Sequence, residues 1–227
     1  MSEYLPDGTE LTGTGWALQN PKDYIDVLKY IIPEAVAQSG VSSKDIIGIG
    51  LDFTSCTMLP VDENNVPLCL LVKNVSRPHA WVKLWKHHGA QKQADEINEL
   101  LKKRGEIDNI QFGGKISSEL LLPKILQIVE EDPELYDEAA SFLEVGDWLT
   151  QILTNGRKRS GNLAGYKAMW TPETGYPSKD FLLQLSPKLE NLTEDKLGDD
   201  ITLAGQPVGY LTEDWANFQI SYDHSLK

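Results

Sequence analysis

The chain has 227 residues, 41% hydrophobic and 24% charged, proportions that exclude collagen-like and wholly disordered chains. Its 21 basic and 34 acidic side chains leave a formal charge of −13. That field repels phosphate backbones and anionic lipid, so nucleic acid and membrane surfaces are poor partners, and a small neutral substrate suits it better.

The length suits one large domain or two small ones and is enough to bury a core without a metal or disulfide staple. Met1–Thr14 is polar and lacks the basic and apolar regions of a signal peptide. Pro21 to Ser39 predicts the first helix. Asn20 stands at its N-cap, Pro21 takes the first helical position, and Tyr24, Ile25, Leu28, Ile31, Ile32 and Val36 keep a helical period up to Gly40. KDIIGIGLDF (44–53) predicts a short apolar strand whose two glycines admit close approach by a neighbour. TMLPVD, the turn ENN and VPLCLLV then predict a hairpin. Cys56 and Cys69 lie in these apolar stretches and are expected to be buried and reduced. The longest apolar runs, near Ile46–Leu51 and Leu68–Val72, fall far short of the roughly 18 residues of a membrane span. A reduced, cytoplasmic chain is the expectation.

From Pro78 to Arg104 the composition is helical, with Gly89 a point of kinking or splitting. Trp81 and Trp85, four residues apart, would share a face of that helix. A second helical stretch runs from Ser118 to Glu131 with an interruption at Pro123, and a third begins near Pro133. SFLEV (141–145) reads as a strand, GDWLTQILTNG (146–156) as a helix with Asp147 near its start and Gly156 past its end, and SKDFLLQL (178–185) as a short helical piece. Helices interleaved with short strands predict an α/β domain with a mixed sheet.

Several motifs invite chemistry. GIGLDF (48–53) has the first glycine pair of a dinucleotide fingerprint but Phe53 where the third glycine belongs, and FGGK (112–115) is followed by Ile116 rather than a hydroxyl residue. Neither reads as a nucleotide loop; the second reads as a turn. His79, His87, His88 and His224 come with no CxxC or HExxH pattern, which favours hydrogen-bonding roles over a metal site. Trp85 suits core packing or a flat platform for a sugar's C–H groups. In LDFTSCTML (51–59) the cluster Asp52, Thr54, Ser55, Cys56 and Thr57 offers small hydrogen-bonding groups at a strand end, fitting either a ligand loop or a self-capped turn. Lys167 is a lone cation between an aromatic and small apolar residues, in a position where an ammonium either serves a function or reaches out to solvent.

Taken in order, GWALQNPKDYI (15–25), GIGLDFTSCTMLPVD (48–62), HAWVKLWKHHGA (79–90), GGKISSELLLPK (113–124), LEVGDWLTQILTNG (143–156) and AGYKAMW (164–170) resemble one family. It is the carbohydrate kinases related to glycerol kinase and xylulokinase (the FGGY family), and within it the L-ribulokinases, whose marker is the DFTSCT loop. The resemblance implies an actin-like, ribonuclease-H-like α/β domain, truncated at both ends, and ATP-dependent phosphorylation of L-ribulose to L-ribulose 5-phosphate. It implies that Ser55, Trp85 and Lys167 are substrate-binding residues for a ketopentose. ATP and Mg2+ would be held by residues outside this chain. On the same basis residues 1–227 are expected to form part of the N-terminal sugar-binding domain. The opening strands, the catalytic-aspartate segment and the ATP-binding domain would lie elsewhere, leaving Ile46–Phe53 as an exposed apolar edge and the chain alone inactive. Asp223, in SYDHS, does not resemble the approach to the family's aspartate, and no catalytic residue is assigned. A kinase for another pentulose or polyol and a non-catalytic sugar-binding fragment stand as alternatives, and a homo-oligomer is compatible with the sequence.

Overall fold

The computed structural model describes residues 4–11, 14–107 and 113–221. In chain order the elements are β1 (Leu18–Gln19), α1 (Pro21–Ser39), β2 (Met58–Val61), β3 (Val82–Lys83), α2 (Gln91–Arg104), α3 (Leu121–Glu131), α4 (Pro133–Glu138), β4 (Ser141–Glu144), α5 (Val145–Thr154), β5 (Arg159–Ser160), α6 (Gly161–Ala168), α7 (Lys179–Leu185), β6 (Ile201–Thr202) and α8 (Glu213–Ser221). Asn20 caps α1 by accepting a hydrogen bond from the Lys22 amide at 3.1 Å, and Gly40 closes it at φ 68°. Pro123 does not interrupt α3. It is the third residue of that helix, where the missing N–H has no intrahelical acceptor to lose.

The α/β composition holds, but the main sheet, ordered β1-β3-β2-β4, is antiparallel throughout rather than mixed. A separate β5–β6 pair is parallel. Alternation along the strands divides the core between the two sheet faces. Met58 and Phe142 join a large cluster with Ile97, Ile125, Ile128 and Leu135 from α2, α3 and α4. Leu59, Val61 and Leu143 join a smaller one with Trp148 and Leu149 of α5, on which Tyr24, Ile25 and Leu28 of α1 pack. Among the described residues no helix is long and apolar enough to cross a membrane.

Three segments depart from expectation. Residues 46–53 form no strand. Ile46, Ile47, Ile49 and Leu51 are exposed, and a Cβ added at Gly48 or Gly50 would meet nothing within 4 Å, so no neighbour makes the close approach those glycines suggest. A strand needs a hydrogen-bonding neighbour, and none of the described strands pairs with this stretch. The hairpin survives only as its turn, where Asp62 Oδ1 accepts from the amides of Asn64 and Val66, both at 2.8 Å, and as a single bridge between Val61 and Pro67. β2 pairs instead with β3 and β4. Finally, the helix expected from Pro78 begins only at Gln91, beyond Gly89. Val82 and Lys83 are drawn into the sheet by pairing with β1 and β2, and that pairing overrides local helical preference.

Candidate ketose site

The turn before β2 is the centre of the site. Cys56 adopts φ 68°, a left-handed conformation that a side chain tolerates only when its surroundings hold it. It is buried, with Ser55 half-buried before it and Thr57 buried after it. Thr54 and Asp52 are exposed. Two close approaches bring a second element alongside. A Cβ at Gly146 of α5 would stand 3.3 Å from both the Phe53 and Leu163 side chains, so the bare glycine lets the segment entering the turn and α6 converge on α5. Lys167 lies four residues beyond Leu163 and hence on the same face of α6. There it lies near enough to the Cys56 thiol to act on it: burial raises that thiol's pKa, and the lysine works against the shift. The thiol therefore stays neutral.

Trp81 and Trp85 do not share a helix face. Trp81 is buried and its indole N–H donates to the Val75 carbonyl at 3.1 Å, whereas Trp85 is 45% exposed in the turn after β3. The link between Trp85 and the Ser55 turn is Lys124 of α3. Its ammonium, wholly buried, donates to the carbonyls of Cys56 at 2.5 Å and of Leu84, the residue before Trp85, at 2.8 Å. Burial lowers the pKa of Lys124. Glu144, at the end of β4, accepts from the Thr57 amide at 3.0 Å, and burial raises its carboxyl pKa well above the usual range. The resemblance did not identify Lys124 and Glu144. The signal was present, though: Lys124 is the one charge in LLLPKILQIV (120–129), and Glu144 interrupts the apolar run FLEV (142–145).

The histidines make hydrogen bonds, as their sequence context suggested. His79 Nε2 lies 3.0 Å from Glu131 and its Nδ1 lies 3.1 Å from the Lys83 ammonium, which sits 4.5 Å above the Trp16 ring. His87 bridges the Ala17 amide and Gln127, and His88 meets Ser118 at 3.3 Å. Burial and the charge of Lys83 push His79 and His87 down to about 2, so both rings are neutral. Burial likewise draws Lys83 down to about 7. Gly113 and Gly114 form a turn, both at positive φ. His224 and Asp223 lie outside the described residues. Among the described residues no three His, Cys, Asp or Glu side chains gather to hold a metal. Both cysteines are free and buried.

Comparison with known proteins gives this geometry a context. Residues 3–162 match the model of the N-terminal domain of the FGGY family of carbohydrate kinases. The chain is 52% identical over 212 residues to ribulokinase of Bacillus licheniformis and 45% identical over 213 residues to that of Mycolicibacterium smegmatis; each match covers 93% of this chain and 38% of the relative. The chain thus spans well under half the length of these curated relatives. Among solved structures, a xyloylose kinase from Brucella ovis matches with TM-score 0.71 at 16% identity, covering 92% of this chain and 39% of that one. A gluconate kinase from Lactobacillus acidophilus matches with TM-score 0.67 at 15% identity, covering 92% and 38%. The α/β domain with its sheet between two helical layers, and the sequence match across most of its length, together establish that the chain belongs to the FGGY family of carbohydrate kinases, as a homologue of the ribulokinases.

Proposed function

We propose that this chain supplies the ketose-binding part of an ATP-dependent kinase that phosphorylates L-ribulose to L-ribulose 5-phosphate, in the cytoplasmic catabolism of L-arabinose. The observation that carries the reading is the approach of Lys167 to the Ser55–Cys56 turn, in a chain 52% identical to a ribulokinase. The ammonium of Lys167 is a donor for a ketose oxygen, the small Ser55 side chain leaves room for the sugar and offers a hydroxyl, and the exposed Trp85 presents a flat apolar face. Phosphoryl transfer asks mainly for positioning and charge stabilisation, and the residues named here contribute positioning. The described residues do not fit Mg2+–ATP: no acidic set gathers for the cation, and the Gly113–Gly114 turn runs into Lys115 and Ile116 with no hydroxyl beside the lysine. Phosphoryl transfer is assigned to none of them.

Titrating L-ribulose into the chain and following the thermal midpoint tests the reading, with D-ribulose and D-xylulose as controls. A ligand that binds only the folded state raises the midpoint by mass action. L-ribulose is expected to raise it more than either control does, and Lys167→Ala to abolish the rise. A sharp transition indifferent to every ketose would remove the sugar assignment. Equal responses to all three would point to a broader pentulose kinase.

A further inference from the structure

The peptide unit joining Cys56 to Thr57 is held on both edges by side chains, an amine on one and a carboxyl on the other. Its carbonyl accepts from the Lys124 ammonium at 2.5 Å and its N–H donates to Glu144 Oε2 at 3.0 Å. The two side chains come from different elements, α3 and β4, and both are buried. The other Glu144 oxygen and the Thr57 hydroxyl are buried without a hydrogen-bond partner among the described residues. Removing an ammonium and a carboxyl from water is costly, and replacing such a pair with apolar side chains is often neutral or stabilising. Stability alone therefore does not explain this arrangement. Conformation does: the two contacts hold the peptide plane that follows the left-handed Cys56 against rotation. Such a rotation would turn the carbonyl toward the carboxyl and the N–H toward the ammonium, breaking both contacts at once. Lys124 also grips the Leu84 carbonyl, next to Trp85, so one ammonium sets the distance between the two halves of the candidate site.

We propose that Lys124 and Glu144 are positioning residues of the ketose site, a peptide clamp that fixes the Cys56–Thr57 peptide plane and keeps the Ser55–Thr57 turn in register with Trp85. The inference rests on the ketose-binding reading above. Two readouts separate them in the 227-residue chain: the amide proton shift of Thr57 by NMR, which needs no sugar, and the affinity for L-ribulose by calorimetry. Glu144→Leu should move the Thr57 amide upfield and weaken L-ribulose binding by about tenfold, the scale of one buried donor left without its acceptor. Glu144→Gln, which keeps an acceptor in place, should restore most of both. Lys124→Met should weaken binding similarly, whereas Gln127→Leu, which strips a buried polar group from the same helix away from the turn, should leave affinity unchanged. If Lys124→Met does not fold, the Leu and Gln variants at Glu144 carry the test. Unchanged affinity in Glu144→Leu, or an equal loss in Gln127→Leu, overturns the positioning role. An unmoved Thr57 amide overturns the clamp even where sugar binds. A wild-type chain that binds no ketose overturns the sugar reading, and with it the role in positioning, while the Thr57 shift still reports the clamp as a purely structural device.

Discussion

Leu59 and Ile49 are aliphatic residues close together in sequence, yet Leu59 is wholly buried while Ile49 is 46% exposed. Leu59 belongs to β2, which has strand neighbours on both sides and helical layers over both faces. Ile49 belongs to a stretch with apolar side chains and no strand pairing, beside a helix whose Val27, Tyr30 and Ile31 are also exposed. The two regions carry similar composition and end in different environments. Apolar patterning sets what a segment needs, and a partner at the right edge decides whether the need is met. The candidate site lies at the junction: Phe53, the last residue of the bare stretch, packs on Tyr24 and against α5, and the turn that follows enters the sheet.

The largest expected effect breaks the packed region. Phe142 is fully buried and stacks on Tyr136 with ring centroids 5.6 Å apart, so Phe142→Ala should cost about 3–5 kcal/mol in urea unfolding. That loss is a large share of the stability of a typical domain.

The next effect is electrostatic and belongs to the packed region too. His87 is neutral in the fold, where burial and the charge of Lys83 push it down to about 2. Its contribution to stability is whole above pH 6.5 and is lost as pH falls, by about 1.4 kcal/mol per unit. Glu144 works the other way, since its raised pKa adds stability as pH falls toward the ordinary carboxyl range. The wild-type curve therefore mixes opposite slopes, and the variant-minus-wild-type difference isolates one. His87→Asn, which keeps an acceptor for the Ala17 amide, should gain on wild type by that increment for each unit below 6.5. A parallel pair of curves would mean that His87 is protonated in the fold.

The smallest effect on stability sharpens the contrast from the bare side. Ile47 is fully exposed, and Ile47→Ser should change stability by less than about 0.5 kcal/mol. It should instead reduce self-association in sedimentation, because an exposed apolar stretch with free backbone groups is a template for pairing. Hydrogen exchange should likewise be fast across 46–51 and slow across 58–61. Slow exchange in both would show that the stretch is covered in solution.

What the sequence made legible follows the same division. α1, with Asn20, Pro21 and Gly40, was readable because its start and stop are local chemistry. The end of α3 at Glu131 was readable, but its start lies at Leu121 rather than Ser118, and the effect of Pro123 depends on which turn of the helix it occupies. The strand at 44–53 and the helix from Pro78 were misjudged because their fates depend on distant residues: the first finds no pairing neighbour, and the second loses Val82 and Lys83 to β1 and β2. At the site, Ser55, Trp85 and Lys167 were named through family resemblance rather than periodicity. The approach of Lys167 to Cys56 depends on Gly146, where the absence of a side chain matters, and no pattern in the sequence announces that.

The two thiols give the fold a pair of internal clocks. Both belong to the larger core cluster, Cys56 at its edge in the site's turn and Cys69 beyond β2, and burial raises the pKa of both, that of Cys69 to about 12. Only a thiolate reached by solvent is alkylated, so each thiol reacts when its own surroundings open. Cys69 times the opening of the core around it, while Cys56 times that of the turn gripped by Lys124 and Glu144. The ratio of the two labelling rates is thus a direct reading of how independently the Ser55–Thr57 turn breathes from the domain that carries it.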